Sequence, residues 1–418
     1  MSENFLGKHY SWFVSSLLFL FPIGINTVKG TGDLILVILA ISGIVLSIFY
    51  KTSPFSIKEL RLFNLLTLGY FLVICLSILF SGKASELAHF ISRELHFLFA
   101  PFVALAIFKA KINITTILYG IKIALILPAT LVYVNSGSFD VRYSGVMNAD
   151  SYGGVLAAML LMSLSKIHNE NLTERIFTSF AFFMGLLALI ASGTRGAWLS
   201  AILSISVFIW IAYKKGKLKV LFKTLGLFLL TFIIMMNFVK STAMEQRVYL
   251  AKQQVMDWID GNDTQSSVSI RMEMWKASIK QVNTHLPLTG VGYRNINPVI
   301  AKQADKKAQS QIARFNHIHN VYLNHLVSEG VFGLIAVLAL LLFPLREFMS
   351  RINSKENDLD SISTMGMLLV VCLSLFGVTN HLFGDVFLNA FYVFFMAILL
   401  PKVARVNLAC YKCGASPR

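Results

Sequence analysis

Charge is scarce in this sequence, and acid is scarcer than base. Only 14% of the 418 residues are charged, against roughly 25% in soluble domains. With 56% hydrophobic residues and a mean hydropathy of +0.67, that shortage excludes a soluble globular domain and leaves a polytopic membrane protein. Cysteine is nearly absent as well. Cys75 and Cys372 sit inside apolar runs, and Cys410 and Cys413 sit in the tail, so there is no disulfide framework. The tail pair has no second pair and no nearby His to complete a zinc site, and it reads as reduced cysteines in a cytoplasmic tail. No signal peptidase site follows the first apolar run, which reads as a retained anchor. No tandem repeat or low-complexity segment stands out.

What is present is a series of apolar runs. A helical span needs about 20 such residues. The runs at 11–27, 33–50, 62–81, 90–108, 115–134, 151–166, 176–192, 197–213, 219–239, 327–345, 361–378 and 384–401 predict twelve spans. The fold class expected is therefore an all-α polytopic membrane protein of about 12 transmembrane helices, with both termini on one side. Alternate connections carry the cations: Lys51, Lys58 and Arg61; Lys109 and Lys111; Lys166 and Arg175; Lys214, Lys215, Lys217, Lys219 and Lys223; Arg346, Arg351 and Lys355. By the positive-inside rule these loops and the tail are cytoplasmic. The opposite short loops hold only Lys29, Lys83, Arg142 and Arg195. Residues 240–316, the single long loop, fall on the outer face, where loops of such length are usually functional or disordered. Trp258, Trp275 and helix-compatible runs at 243–259 and 269–282 predict a small helical lid. The organisation expected is helices 1–9 over 1–239, the loop or lid over 240–316, helices 10–12 over 317–403 and a tail over 404–418.

The net charge of +16 is large for so apolar a chain, and topology explains only part of it. On the outer side, Ser192-Gly193-Thr194-Arg195-Gly196 joins two apolar helices through a glycine-flanked turn. Gly permits the turn and close backbone approach to a ligand. An Arg drawn into hydrocarbon without a partner costs up to roughly 3 kcal/mol, and the plain alternative is snorkelling to the headgroups. The long loop supplies Arg271 and Trp275, four apart and so on one helix face, and then Pro287-Leu-Thr-Gly290-Val-Gly292-Tyr293. That last run makes a turn whose backbone N–H groups could take an anion. Arg247, Arg294 and Arg314 read as a solvated face. Arg142 stands in Asp140-Val141-Arg142-Tyr143-Ser144-Gly145. Glu86, His89, Arg93 and His96 form one helical stripe, open equally to an internal salt bridge or a ligand site.

The densest chemistry lies at His317-Ile318-His319-Asn320-Val321-Tyr322-Leu323-Asn324-His325, running on to Gly330-Val331-Phe332-Gly333. Three histidines and two amides sit where a polar segment meets an apolar span. Asp385 enters an apolar helix, where a carboxylate is expensive unless paired. It is expected either to orient and charge-balance His319 or to cap its helix. Arginines near a headgroup plane match phosphate in bidentate fashion, and a neighbouring His suits proton transfer near neutrality. Glycosyl transfer from a pyrophosphate donor needs both, one to stabilise the leaving anion and one to take the acceptor's proton. No acidic cluster with metal-ligand spacing appears on the outer face, so arginines are expected in place of a divalent cation.

Through Ser-Gly-Thr-Arg195-Gly, Arg271-x-x-x-Trp275, Pro287-Leu-Thr-Gly290-Val-Gly292 and His319-Asn320 followed by Gly330-x-x-Gly333, the chain resembles the O-antigen ligases. The resemblance implies transfer of O-polysaccharide from undecaprenyl diphosphate to lipid A–core on the periplasmic side of the bacterial inner membrane. It implies a metal-independent glycosyltransferase with no cofactor, inverting the anomeric centre, with membrane lipids and not nucleic acid around it. By the same resemblance Arg195 and Arg271 hold the pyrophosphate, His319 activates the acceptor hydroxyl and Asp385 is the acid near the last span. Arg142, Asn320 and Tyr293 complete the substrate-binding set. Arg142 followed after ten residues by Gly153 resembles the related O-antigen polymerases, which extend undecaprenyl-diphosphate-linked repeat units. A flippase is a third reading, disfavoured because the ionisable groups gather at span ends and not at a midplane.

Overall fold

The computed structural model describes residues 3–81, 91–139, 142–220, 266–284, 288–293 and 295–412, with residues 222, 223, 226, 230, 233, 249, 250, 252–254, 256, 257 and 260 between. Among these residues there is helix and no strand. The first eight helices are α1 (Glu3–Thr27), α2 (Thr31–Phe49), α3 (Lys58–Phe80), α4 (Leu95–Lys109), α5 (Ile114–Ser136), α6 (Ala149–Met162), α7 (Leu172–Ser192) and α8 (Arg195–Lys214). Four short ones follow: α9 (Ser267–Thr284), α10 (Ile296–Ala301), α11 (Lys306–Ile312) and α12 (Val321–Ser328). The chain then ends in α13 (Gly330–Met349), α14 (Asn357–Thr379) and α15 (Val386–Lys412).

Nine of the described helices are long and apolar enough to cross a membrane: α1, α2, α3, α5, α7, α8, α13, α14 and α15. Two of the twelve expected runs form shorter helices among the described residues. The runs at 90–108 and 151–166 form α4 and α6, of 15 and 14 residues. Turns at 92–94 and after Met162 cut these helices short of the sequence runs. α6 has no need to reach lipid, because every residue from Ser151 to Met162 is buried. The run at 219–239 lies largely outside the described residues, as do Trp258 and the helix expected at 243–259.

The helices face lipid and protein by simple periodicity. On α2, Leu34, Val37, Ile41, Val45 and Ile48 are exposed, an i, i+3, i+4 stripe left for lipid contact. Ile35, Leu36, Leu39, Ala40 and Gly43 are buried. At Gly43 the backbone of α2 meets the Phe102 carbonyl of α4, so no side chain fits there. α7 begins with a capping box, Asn171 and Glu174 bonding each other's backbone, which satisfies two otherwise orphaned N–H groups. It ends at Gly193, whose φ of 67° turns the chain directly into α8.

α9 to α12 have their own apolar centre, built from Ile270, Met274, Ile296, Ile300, Ile312, Ile318 and Val327. The helix expected at 269–282 is present as α9. This small cluster packs over one end of the bundle. Two buried ion pairs sit toward the other, lysine-rich end: Lys122 Nζ to Glu170 Oε1 and Lys215 Nζ to Asp360 Oδ2, each 2.7 Å. Removing one partner of a buried pair strands a charge and costs about 3–5 kcal/mol, whereas replacing both with apolar residues is often neutral. Lys122→Met alone is therefore expected to lower the melting temperature of the detergent-solubilised protein sharply. Lys122→Met combined with Glu170→Leu is expected to restore most of the loss.

Candidate active site

A cavity of about 340 Å³ opens between the α9–α12 cluster and the bundle. His317, His319, Asn380, His381, Asp385, Arg93, Asn148, Asp150 and Tyr293 are among the residues that line it. Among the described residues, no group of three or more His, Cys, Asp or Glu side chains is arranged to hold a metal ion.

The His319 wall is built by the motif around it. Asn320 caps α12: its Oδ1 accepts from the N–H groups of Tyr322 and Leu323, both at 3.0 Å. Asn324 reaches back to accept from the Ile318 N–H at 3.0 Å. These bonds fix the turn that carries the imidazole. Asn320, expected to bind substrate, is instead spent on the helix and does not line the cavity. The glycines of the same motif also have structural reasons. Gly330 has φ 72° and starts α13. A Cβ on Gly333 would meet the Glu329 Cβ at 2.5 Å and the His325 carbonyl at 2.7 Å. The space it leaves lets Glu329 accept from Ser328 Oγ at 2.5 Å and pair with His325 Nδ1 at 2.7 Å. His325 therefore serves a buried pair beneath the cavity.

α9 bonds two residues of the cavity wall from one face. Arg271 Nη2 lies 3.2 Å from Asp150 Oδ2. One turn on, Trp275 Nε1 donates to the His319 carbonyl at 3.3 Å. The four-residue spacing read from the sequence thus points both side chains at the same site. The His319 ring lies 4.5 Å from His317, and its Nδ1 is buried without a hydrogen-bond partner among the described residues. Burial, then the Arg271 guanidinium, then His317 push its pKa down to about 2, so the imidazole rests neutral with a lone pair available.

Asp385 does two things. Its Oδ1 accepts from the Leu388 N–H at 3.1 Å, capping α15, and its Oδ2 accepts from Asn148 Nδ2 at 3.0 Å inside the cavity. Asn148 in turn caps α6 through the Ser151 N–H at 2.8 Å. The N-termini of α6 and α15 thus meet at one cavity, which favours an anion there. The bond to Asn148, and not one to His319, holds the Asp385 carboxylate.

The other sequence candidates divide. Tyr293 is buried in the wall, its N–H on Ser77 Oγ at 2.9 Å and its hydroxyl 3.5 Å from Glu94 Oε1. Arg195 begins α8 and donates to Gln254 Oε1 at 3.0 Å. It stands beside the cavity and not in its wall, joined to it through Thr194, whose hydroxyl bonds the Ala149 carbonyl at 2.7 Å. Arg142 is exposed, and its neighbour Tyr143 docks on the same turn through the Ala191 carbonyl at 2.9 Å. The anion-binding turn expected at 287–292 is corrected, with Pro287 itself outside the described residues. The N–H groups of Val291 and Gly292 are given to the carbonyls of Val327 and Ser328 at 2.8 and 2.9 Å, so they finish α12 and face no ligand. Of the Glu86–His96 stripe, Glu86 and His89 lie outside the described residues. Arg93 lines the cavity, while His96 pairs with Asp33 at 2.9 Å. Arg247 and Arg294 also lie outside the described residues, as does Cys413, so the tail pair is not described.

Asp150, Asn148, His381 and Glu94 were not singled out as site residues from the sequence. Asp150 had a signal, an acid two residues after a capping Asn at the start of an apolar helix. Glu94 had none, because its partners are distant in sequence: Asn389 Nδ2 donates to it at 3.0 Å.

Two outcomes test this geometry. Asn320→Ala is expected to cost about 1 kcal/mol of stability through loss of the cap, and Asn320→Ser to cost less, by thermal melting. His319 is neutral when folded but binds a proton near pH 6.5 when unfolded. Stability should therefore fall as pH drops below about 6.5, by up to about 1.4 kcal/mol per pH unit from this group. His319→Gln should remove that part of the slope.

Residues 180–338 match a family model described as O-antigen ligase. The matched segment holds Arg195, Arg271 and His319, and leaves out Arg142 and Asp385. A protein of Haemophilus influenzae described as uncharacterized is 22% identical over 213 residues, 51% of this chain and 53% of its own length. The chain thus spans about half the length of that curated relative. The matched segment, which carries His319 of the cavity wall and the Arg271 and Trp275 side chains of α9, is thus similar to the O-antigen ligase family.

Proposed function

We propose that this protein is an O-antigen ligase, moving O-polysaccharide from undecaprenyl diphosphate to a sugar hydroxyl of lipid A–core at the periplasmic face of the inner membrane. One observation carries the reading: a single face of α9 places Arg271 against Asp150 and Trp275 against His319 at one polar cavity. In the reaction the acceptor oxygen bonds to the anomeric carbon as the bond from that carbon to the diphosphate breaks. The proton of the acceptor hydroxyl passes to His319, and the lipid leaves as its diphosphate. Arg271 and Arg195 stabilise the departing anion, in place of a divalent cation.

The neutral resting state of His319 suits a base, but a nearby guanidinium makes it a weak one. An arriving diphosphate offsets the charge of Arg271 and strengthens the base at the moment it is needed. Asp150 holds Arg271 aimed until then. Asp385 and Asn148 fix the opposite wall.

A second reading, O-antigen polymerase, is favoured by one feature. Gly153 faces Thr194, whose Cβ a side chain there would meet at 2.8 Å, and the Arg142 loop docks on the same turn. Deleting the gene separates the two. Loss of all O-chain from the core, with long polymer left on the lipid carrier, supports ligase; a core bearing a single repeat unit supports polymerase. For either enzyme, Arg195→Ala and Arg271→Ala are expected to cut transfer by about 10²–10³ while the protein stays in the membrane. Lys at either position should rescue only in part, because the fork geometry is lost. His319→Ala should abolish transfer and leave binding of the lipid diphosphate largely intact; loss of that binding would contradict its role as proton acceptor.

A further inference from the structure

An apolar groove of about 280 Å³ runs along α2, α4 and α15, and nothing in the reaction described above uses it. It shares a wall with the cavity at two places. Arg93 lines the cavity and Ser92 the groove; Asp385 lines the cavity and Val386 the groove. Its mouth is polar, where His96 Nε2 meets Asp33 Oδ1 at 2.9 Å. Below the mouth it is walled by Leu36, Ala40 and Ile44 of α2 and by Leu95, Phe99 and Val103 of α4, with Val386 and Val393 behind. Near its foot the backbones of α2 and α4 close together at Gly43 and Phe102.

All three helices run away from the cavity in the same direction. From Asp33 to Ile44 the groove is about 16 Å long at 1.5 Å per residue, close to half of the roughly 30 Å hydrocarbon layer. It is open on the side where Val37 and Ile41 are exposed, 52% and 55%, on the lipid-facing stripe. A lined channel one leaflet deep, polar at the cavity end and open to the bilayer along its length, has the form of a seat for one hydrocarbon chain.

We infer that this groove holds the polyprenyl chain of the lipid diphosphate donor. This rests on the transferase reading, and the chemistry of the two substrates decides between their tails. In the donor, only the diphosphate separates the reacting anomeric carbon from the first carbon of the chain. In the acceptor, several sugars separate the reacting hydroxyl from the acyl chains. A groove lined by the chain neighbours of two cavity residues fits the lipid whose chain begins next to the chemistry. Seating the chain there fixes the depth of the diphosphate against Arg93 and Arg271 and orients the carbon for attack.

The test uses the full-length protein in proteoliposomes, with a benzophenone amino acid at Val37. Irradiation with undecaprenyl diphosphate is expected to give a prenyl adduct by mass spectrometry, suppressed by excess unlabelled lipid diphosphate. In parallel, Val37→Trp is expected to raise KM for a 55-carbon donor about tenfold relative to a 10-carbon donor, with acceptor KM unmoved. Leu34→Trp, on the same stripe but outside the groove, should leave the ratio alone. An adduct with bulk phospholipid only, an equal shift for both chain lengths, or a shift in acceptor KM would each overturn the inference. The adduct needs no sugar transfer, so it forms even if the transferase reading fails. Normal transfer with no prenyl adduct would sink the groove alone.

Discussion

Two bonds from one face of one helix hold the site together. Arg271 of α9 pairs with Asp150 at the start of a buried helix of the bundle, and Trp275 one turn later holds the carbonyl of His319. The first ties the small helical cluster to the bundle, and the second sets the residue whose imidazole faces the cavity. Further bonds, from the Tyr293 N–H to Ser77 Oγ and from the Tyr322 hydroxyl to the Ser374 carbonyl, both 2.9 Å, hold the cluster on the bundle, so the two bonds of α9 act on the site itself.

The constraint beneath this is electrostatic. Cations at the edge of hydrocarbon are costly alone, and here Asp150 offsets Arg271, while the helix N-termini at the cavity add to the positive field that favours an anion. Asn148, Asn320 and Asp385 are each caps, and two of the three also line the cavity. Capping and site-building are therefore the same act. A cap residue points its side chain at its own helix N-terminus, which is where an anion is favoured. The result is a site whose resting charges are met by weak, displaceable partners. The exposed flank of the Arg271–Asp150 pair leaves the guanidinium free to exchange a carboxylate for a phosphate.

Much of this was legible in the sequence, for identifiable reasons. Arg271 and Trp275 are four apart on a helix, and that spacing alone put them on one face. His319 stood beside a capping Asn at the start of an apolar run. Other parts were hidden. The Gly290–Gly292 turn looked ready for an anion because its amide partners, Val327 and Ser328, come from another element. The apolar runs behind α4 and α6 form helices of 15 and 14 residues because turns at 92–94 and after Met162, invisible to hydropathy, end them early. Arg195 was correctly placed at a turn between two apolar helices, but its offset from the cavity wall depends on the packing of Thr194 against Ala149. The division of residues 240–316 into a lid remains a proposal that α9 to α11 support for its described part.

The most direct test of the account is a structure of the protein with undecaprenyl diphosphate bound in a lipid nanodisc. The account predicts phosphate oxygens at ~3 Å from the Arg271 guanidinium, Asp150 released from it, and the His319 ring facing the space where the acceptor hydroxyl would enter. A diphosphate bound away from this cavity, with the Arg271–Asp150 pair intact, would contradict it.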